Sequence, residues 1–240
     1  MLFYLAPMEG ITGYIVRNAY AHYFPYIDKY FTPFIPAAKK MSKKIKRDLA
    51  AENNEQIRLV PQLIGNRADE FLMMIRQLED LGFTSVNLNF GCPSGTVVSK
   101  RKGAGFLADP KELEMLLEEV LENSPLAVSV KTRVGIKDLD EWEALCGVYA
   151  KFPLEELIIH PRLQNDYYSG TPRMETFARA LEQIHVPLCY NGDICSVEDY
   201  KKVTAAFPAI DRIMIGRGLL ENPGLARVYC DSGSGLPCQF

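Results

Sequence analysis

Histidine is scarce in this sequence, and its cysteines do not occur in closely spaced pairs. There are three histidines, and the six cysteines, at positions 92, 146, 189, 195, 230 and 238, show no C-x-x-C spacing. Structural metal sites usually combine such spacing with histidine ligands. We therefore expect no metal, and thiols that stay reduced, as they do in the cytoplasm.

Long apolar runs and a strong charge of either sign are missing as well. No stretch of 18 apolar residues occurs, and the N-terminal LFYLAP lacks the basic segment and long apolar core of a leader. We expect neither a membrane span nor a signal peptide. The 27 basic and 30 acidic residues give a net charge of −3, so any contact with nucleic acid must come from local basic patches.

Strand-like and helix-like segments alternate along the chain. Helical patterns cover residues 69–81, 110–123, 139–151, 174–184 and 197–207. The apolar strand-like runs between them end at Ala6, Phe31, Ile64, Asn89, Thr132, His160, Asn191 and Ile215. This alternation predicts an α/β fold, and eight units predict a closed TIM (β/α)8 barrel, which takes about 250 residues. Pro61 cannot donate to a sheet, so we expect a bulge in the third strand.

The last residues differ in character from the rest. After Pro223 the periodic pattern fades, and the segment DSGSGLPCQF is polar and rich in glycine. We therefore assign residues 1–229 to the barrel and residues 230–240 to a tail that is disordered or a remnant of truncation.

The stretch SVNLNFGCPSGTVVSKRKGAG, residues 85–105, contains the strongest candidate for chemistry. Strand alternation places Asn87 and Asn89 on the same face, and the strand breaks at Gly91. Pro93 and Gly95 exclude an immediate helix, which leaves Cys92 on an irregular loop just beyond the C-terminal end of a strand. Barrel enzymes hold their reactive groups at that end.

Polar side chains are predicted to converge inside the barrel. In AVSVKTR, residues 127–133, alternation points Lys131 and Arg133 inward, where two like charges need an anion. An ion pair with an inward Asp or Glu is the structural alternative. The polar residues Gln62, His160 and Asn191 also lie at the C-terminal ends of strands. Together these groups predict a small-molecule or cofactor pocket.

Two glycine turns follow strands seven and eight, at residues 191–193 and 216–218. Barrel enzymes bind phosphate at this position, because backbone N–H groups can approach the anion closely where there is no Cβ. A phosphate combined with a planar ligand near Gln62, Lys131 and His160 suggests FMN. The turn at residues 7–10 could contact its ring.

The ordered motifs APMEG, PQL, N-x-x-C-P, KTR, HPR, NGD and IGRG extend from Ala6 to about Pro223. In this order they resemble the tRNA-dihydrouridine synthase family of FMN-dependent enzymes. The resemblance implies an FMN-binding set of Pro7, Met8, Glu9, Gln62, Lys131, His160, Asn191, Gly192, Asp193, Gly216 and Arg217. It also implies a helical domain after the barrel, and we expect that domain to be absent because nothing after Pro223 corresponds to it.

The resemblance further implies the reduction of specific uridines in tRNA at the C5–C6 double bond. Hydride would come from FMN that NADPH has reduced, and the proton from Cys92. A thiol with a pKa of about 8.5 is mostly protonated at neutral pH and can still release its proton. A nucleophilic Cys92 near His160 and a buried, inert Cys92 are the alternatives.

The same resemblance suggests which residues contact the RNA. Asn89 would bind the uracil edge, while Lys100 and Arg101, just after the cysteine loop, would contact phosphate. Arg173 could reach the base or a phosphate, although the sequence departs from the family pattern there. A second basic cluster, residues 39–47, would either hold the RNA backbone or form a solvated face.

Two other functions are compatible with the sequence. One is an FMN-dependent oxidoreductase that acts on a free pyrimidine, similar to dihydroorotate dehydrogenases. The other is a barrel that binds RNA without catalysis. The basic clusters favour an RNA substrate over a free base.

Overall fold

The computed structural model describes residues 1–233, and the side chains of residues 1–229. The strands are β1 Leu2–Leu5, β2 Lys29–Phe31, β3 Ile35–Pro36, β4 Leu59–Val60, β5 Gln62–Ile64, β6 Ser85–Phe90, β7 Ala127–Arg133, β8 Leu157–His160, β9 Leu188–Tyr190 and β10 Arg212–Ile215. The α-helices are α1 Tyr14–Tyr23, α2 Lys43–Leu49, α3 Ala68–Asp80, α4 Gly95–Val98, α5 Pro110–Asn123, α6 Glu141–Tyr149, α7 Met174–Gln183, α8 Val197–Ala206, α9 Arg217–Glu221 and α10 Leu225–Gly233. Short 3-10 turns lie at Ala51–Asn53, Gly103–Ala108 and Gln164–Asp166.

The ten strands form one parallel sheet that closes on itself. Strands β5 to β10 pair in chain order, and β10 pairs with β1, which pairs with β2. The circle closes because β2 pairs with β4 and β3 pairs with β5. Since β2 with β3, and β4 with β5, are each one passage of the chain, the barrel has eight passages. The predicted (β/α)8 barrel is confirmed, and the predicted strand ends are correct to within one residue, except that the second passage continues through β3 to Pro36.

Pro61 divides the third passage between β4 and β5, but the extra residue of the bulge lies in the second passage, between Phe31 and Ile35, and not in the third strand as predicted. The pairing changes from Phe31 opposite Val60 to Ile35 opposite Leu63, a register shift of one residue. The Pro61 carbonyl accepts a hydrogen bond from the backbone of β6 at 2.9 Å, and the next N–H, at Gln62, donates to a threonine hydroxyl at 2.9 Å. The bulge therefore leaves neither of these two buried backbone groups unpaired.

Apolar side chains fill the space between the sheet and the helices. Helix α5 shows how the sequence does this, because its buried residues Leu113, Leu116, Leu117 and Val120 recur at helical spacing. Asp109 caps this helix by accepting hydrogen bonds from the first-turn backbone. A smaller apolar cluster lies inside the barrel and consists of Tyr4, Ala6, Phe31, Val60, Ile158, Cys189 and Met214.

The N-terminal end of the barrel is closed by an ionic network around Glu156. This carboxylate is fully buried and accepts from Lys29 at 2.7 Å, from Arg212 at 3.2 Å and from the Tyr4 hydroxyl at 3.0 Å. A buried carboxylate is tolerated only when it is paired in this way. The network leaves the opposite, C-terminal end of the strands as the open end.

The sequence did not indicate several of the helices. Helices α1 and α2 precede the third passage, and α10 extends past residue 229, where we had placed the end of the barrel. Residues 234–240, most of the predicted tail, lie outside the described part. Within residues 1–233, no helix is long and apolar enough to cross a membrane.

Candidate active site

A cavity of about 630 Å³ lies at the C-terminal mouth of the barrel. Its size falls within the range of about 300–1,000 Å³ that is usual for cofactor pockets. Twelve of the sixteen predicted site residues line it: Pro7, Met8, Glu9, Asn89, Cys92, Lys131, His160, Asn191, Gly192, Asp193, Gly216 and Arg217. The structure therefore brings together residues that are up to about two hundred positions apart in sequence.

The loop that holds Cys92 is fixed from several sides. Its Gly91 carbonyl accepts from the buried Arg133 guanidinium at 3.0 Å, and the Cys92 carbonyl accepts from the Ala104 N–H at 3.0 Å. Gly103 has a φ of +56°, and a Cβ at this position would come within 2.8 Å of the Cys92 carbonyl oxygen. The close packing under the cysteine therefore requires glycine.

One local prediction about this loop was wrong. Pro93 and Gly95 were expected to prevent an immediate helix, but helix α4 begins at Gly95. The reason is that Ser94 takes an extended conformation, so the chain turns into a helix two residues after the proline. Cys92 itself lies on irregular backbone, as predicted, and its side chain is half-buried.

Burial raises the pKa of the Cys92 thiol above its ordinary value. The Ser94 backbone N–H and the charges of Lys131 and Arg133 offset only part of this effect. A buried thiol with a raised pKa carries its proton at neutral pH. The site thus holds Cys92 as a thiol rather than as a thiolate.

Lys131 and Arg133 both point inward, and they differ in their partners. Arg133 donates to three backbone carbonyls, those of Gly91, Leu163 and Tyr167. Lys131 lines the cavity and makes no hydrogen bond or ion pair with any described residue. The described residues therefore do not form the alternative arrangement, an ion pair with an inward carboxylate.

Burial, followed by the charge of Arg133, lowers the pKa of Lys131 to about 8. The ammonium group is still largely protonated at neutral pH. A cation held in a cavity without a counter-ion is a site for an anionic group of a ligand.

The far wall of the cavity is built around Asp193. The buried guanidinium of Arg162 donates to it at 2.8 Å, and Arg217 donates to it at 2.5 Å. Burial raises the pKa of Asp193, but the two arginines outweigh this effect and lower the pKa below its ordinary value. The carboxylate therefore stays ionised. Its φ of +40° is a strained conformation for a non-glycine residue, which is common in binding sites.

His160 lies beside this group, 3.3 Å from the Arg162 guanidinium. Burial lowers the pKa of His160 well below its ordinary range, and the neighbouring cations, Lys131 first among them, lower it further. The imidazole is therefore neutral at physiological pH. A neutral histidine can donate or accept one hydrogen bond without adding charge.

Sequence reasoning missed two residues of this wall. Arg162 follows His160 by two positions in HPR, and that spacing was the available signal for it. Tyr168 lies at the mouth between two guanidinium groups, with Arg217 at 5.3 Å and Arg133 at 5.4 Å from its ring centre. It lies in a loop without periodicity, so strand alternation could not place its side chain at the mouth.

Four predicted site residues do not line the cavity. Gln62 is fully buried behind it, between Asn87 and Asn89. Lys100 and Arg101 are exposed, and Arg101 pairs with Glu112. Arg173 pairs with Asp166, beside the cavity. Their roles in binding stay predictions.

The residues that line the cavity fit a flavin phosphate better than a metal ion. Among residues 1–233, no group of three or more His, Cys, Asp or Glu side chains could hold a metal. By contrast, Lys131, Arg133, Arg162 and Arg217 surround the site, with Asp193 between the last two. A planar, anionic cofactor matches this arrangement of groups.

Fold and site together describe a barrel enzyme with a cation-lined cavity and a protonated thiol at its mouth. A solved structure of a variant of NCR from Zymomonas mobilis has a similar fold, with a TM-score of 0.61 over 98% of this chain and 88% of that chain. The two sequences are 12% identical, so this likeness concerns the fold alone.

The family model for dihydrouridine synthase matches residues 4–237. A tRNA-dihydrouridine(16) synthase from Pseudomonas syringae pv. tomato is 31% identical, over 93% of this chain and 73% of the relative. The tRNA-dihydrouridine synthase B of Pasteurella multocida is 30% identical, over 94% and 68%. A probable tRNA-dihydrouridine synthase 2 of Bacillus subtilis is 29% identical, over 92% and 70%. The chain therefore belongs to the dihydrouridine synthase family of flavin-dependent oxidoreductases.

Proposed function

We propose that this chain is a tRNA-dihydrouridine synthase that reduces the C5–C6 double bond of specific uridines in tRNA. We further propose that its flavin is FMN, that its reductant is NADPH and that it acts in the cytoplasm. The observation that carries this proposal is the meeting of Cys92 and the unpaired Lys131 in one cavity, in a chain whose relatives are named for this activity.

The cofactor-binding part of the proposal assigns residues by position. Lys131, Asn191, Gly192, Asp193, Gly216 and Arg217 would hold FMN together with His160 and the turn of Pro7, Met8 and Glu9. When bound, FMN supplies the hydride for the reaction. The charge of Lys131 favours an anionic form of the ligand, because the cation has no described counter-ion. Gln62 would support this set from behind the cavity.

Cys92 would supply the proton that the base needs at C5. Its thiol is protonated, because burial raises its pKa. The neutral His160 has no positive charge with which to stabilise a thiolate. These two observations support Cys92 as a general acid rather than as a nucleophile.

The RNA would approach over the mouth of the barrel. Asn89 lines the cavity, and one hydrogen of its amide is not used by the Gln62 contact. The basic segment, residues 39–47, follows the C-terminal end of β3, which is the mouth end. Its side chains Lys39, Lys40, Lys43, Lys44, Lys46 and Arg47 make no ion pair with any described residue. Clustered free cations of this kind bind a phosphate backbone.

The proposal is tested by incubating the purified chain with FMN, NADPH and unmodified tRNA, and by measuring dihydrouridine in the digested RNA by mass spectrometry. Dihydrouridine that depends on all three components is the expected result. Reduction of free uracil or orotate, with tRNA unchanged, would replace the proposal with a free-pyrimidine oxidoreductase. Binding of tRNA without bound flavin would replace it with a non-catalytic barrel.

A further inference from the structure

A continuous line of hydrogen bonds runs from inside the barrel to the cysteine loop. The Ser129 hydroxyl donates to a backbone carbonyl of β6 at 3.1 Å and accepts from the Asn87 amide at 2.9 Å. The Asn87 oxygen accepts from Gln62 at 2.8 Å, and the Gln62 oxygen accepts from Asn89 at 2.8 Å. The Asn89 oxygen then accepts the backbone N–H groups of residues 91 and 92, at 3.0 and 2.9 Å.

Each member of this line fixes the orientation of the next. The Ser129 proton is used by a carbonyl, so the hydroxyl can only accept from Asn87. That contact turns the Asn87 oxygen toward Gln62, and the Gln62 oxygen must then face Asn89. The Asn89 nitrogen is thereby directed away from the loop, and its oxygen is directed toward Cys92. A flipped Asn89 would place an N–H group against two N–H groups.

We propose that Ser129 and Asn87 are positioning residues for the Cys92 loop, acting through the amides of Gln62 and Asn89. All four side chains are at most 6% exposed, so water cannot replace a lost partner without entering the barrel. Cys92 as the proton donor rests on the function proposed above, whereas the relay from Ser129 to the loop rests on the hydrogen bonds alone.

The test measures the accessibility of Cys92 rather than turnover. The chain is treated with iodoacetamide, and modification of each cysteine is followed over time by peptide mass spectrometry. Cys195 lines the same cavity and is also half-buried, so it serves as the internal reference. In Ser129→Ala the Cys92 rate is expected to rise by about fivefold, the value of one lost hydrogen bond, while the Cys195 rate stays unchanged.

A matched control lies on the same strand. Thr132 is also fully buried and hydrogen-bonded, but it faces the helices, where its hydroxyl accepts from Tyr149. Thr132→Val should therefore leave the Cys92 rate as it is in the wild type. The double variant Asn87→Ala/Ser129→Ala should match Asn87→Ala alone, because both substitutions interrupt the same line.

An unchanged Cys92 rate in Ser129→Ala would overturn the proposal, as would an equal rise at Cys195, which would indicate general loosening. Ser129→Ala removes one oxygen atom, so it keeps the test available if Asn87→Ala does not fold. Dihydrouridine formation is measured separately. A faster Cys92 reaction with unimpaired product would support the relay and show that the position of the loop does not limit turnover, while Cys92 as proton donor is tested separately by Cys92→Ala.

Discussion

Lys131 offers the sharpest test of the proposed flavin site, because its protonation is expected to control the affinity for FMN. In the free protein the pKa of Lys131 is lowered to about 8. The ratio of charged to neutral lysine is therefore about ten to one at pH 7 and one to ten at pH 9. If FMN requires the charged form, its binding raises this pKa. Affinity for FMN is then nearly full at pH 7 and declines as the pH rises through 8, by about tenfold between pH 7 and pH 9.

Few other groups of the cavity change their charge between pH 7 and pH 9. The pKa of Cys92 is raised above its ordinary value, and that of His160 is lowered well below its ordinary range. Asp193 stays ionised throughout. Titration of the apoprotein with FMN, followed by quenching of flavin fluorescence at each pH, therefore reports mainly on Lys131.

Two variants separate charge from packing. Lys131→Met should bind FMN weakly and without the decline above pH 8. Lys131→Arg keeps its charge up to pH 9 and should also lose the decline, while retaining more affinity than the methionine variant. A wild-type affinity that is constant from pH 7 to pH 9, or a decline that persists in Lys131→Met, would refute this assignment.

The remaining predictions concern the thiol, the closed end and the RNA surface. Cys92→Ala should retain FMN and NADPH oxidation but form no dihydrouridine; an undiminished yield would exclude it as the proton donor. Glu156→Gln should lower the free energy of unfolding in urea by about 3–5 kcal/mol. Glu114→Gln, in the exposed pair with Lys151, should cost at most about 1 kcal/mol, and equal costs would contradict the role of burial. Lys43→Ala with Lys44→Ala should reduce the slope of log affinity for tRNA against log salt by about 1.4–1.8, whereas alanines at the exposed lysines 201 and 202 should leave it unchanged.

Much of the fold could be predicted because it depends on local patterns. The strand ends followed from apolar runs that stop at polar, proline or glycine residues, and the start of α5 was correct because Asp109 and Pro110 mark it. Helix α2 was missed because its sequence, KKIKRDL, is too polar to show an apolar stripe. It is held instead by the buried Arg17, which pairs with Asp48 at 3.1 Å.

The site was predictable as a set of positions and less so as a set of contacts. Alternation indicated that Gln62 and Asn89 point inward, but it could not show that they bind each other. Arg101 and Arg173 are basic residues near the loops, yet each is paired with an acidic residue that sequence spacing does not reveal. Pairing across the barrel depends on the three-dimensional arrangement of strands, which one sequence does not report directly.

The two ends of the barrel differ in their balance of charge. At the closed end Lys29 and Arg212 are paired with carboxylates, Glu156 first among them, while at the mouth Lys131 has no described counter-ion. In a molecule with a net charge of −3, unpaired cations at the mouth would attract a polyanion to that face. Electrostatic steering of this kind speeds encounter with correctly oriented molecules and weakens as ionic strength rises. Such a mouth would favour one direction of approach for a polyanion before any specific contact forms.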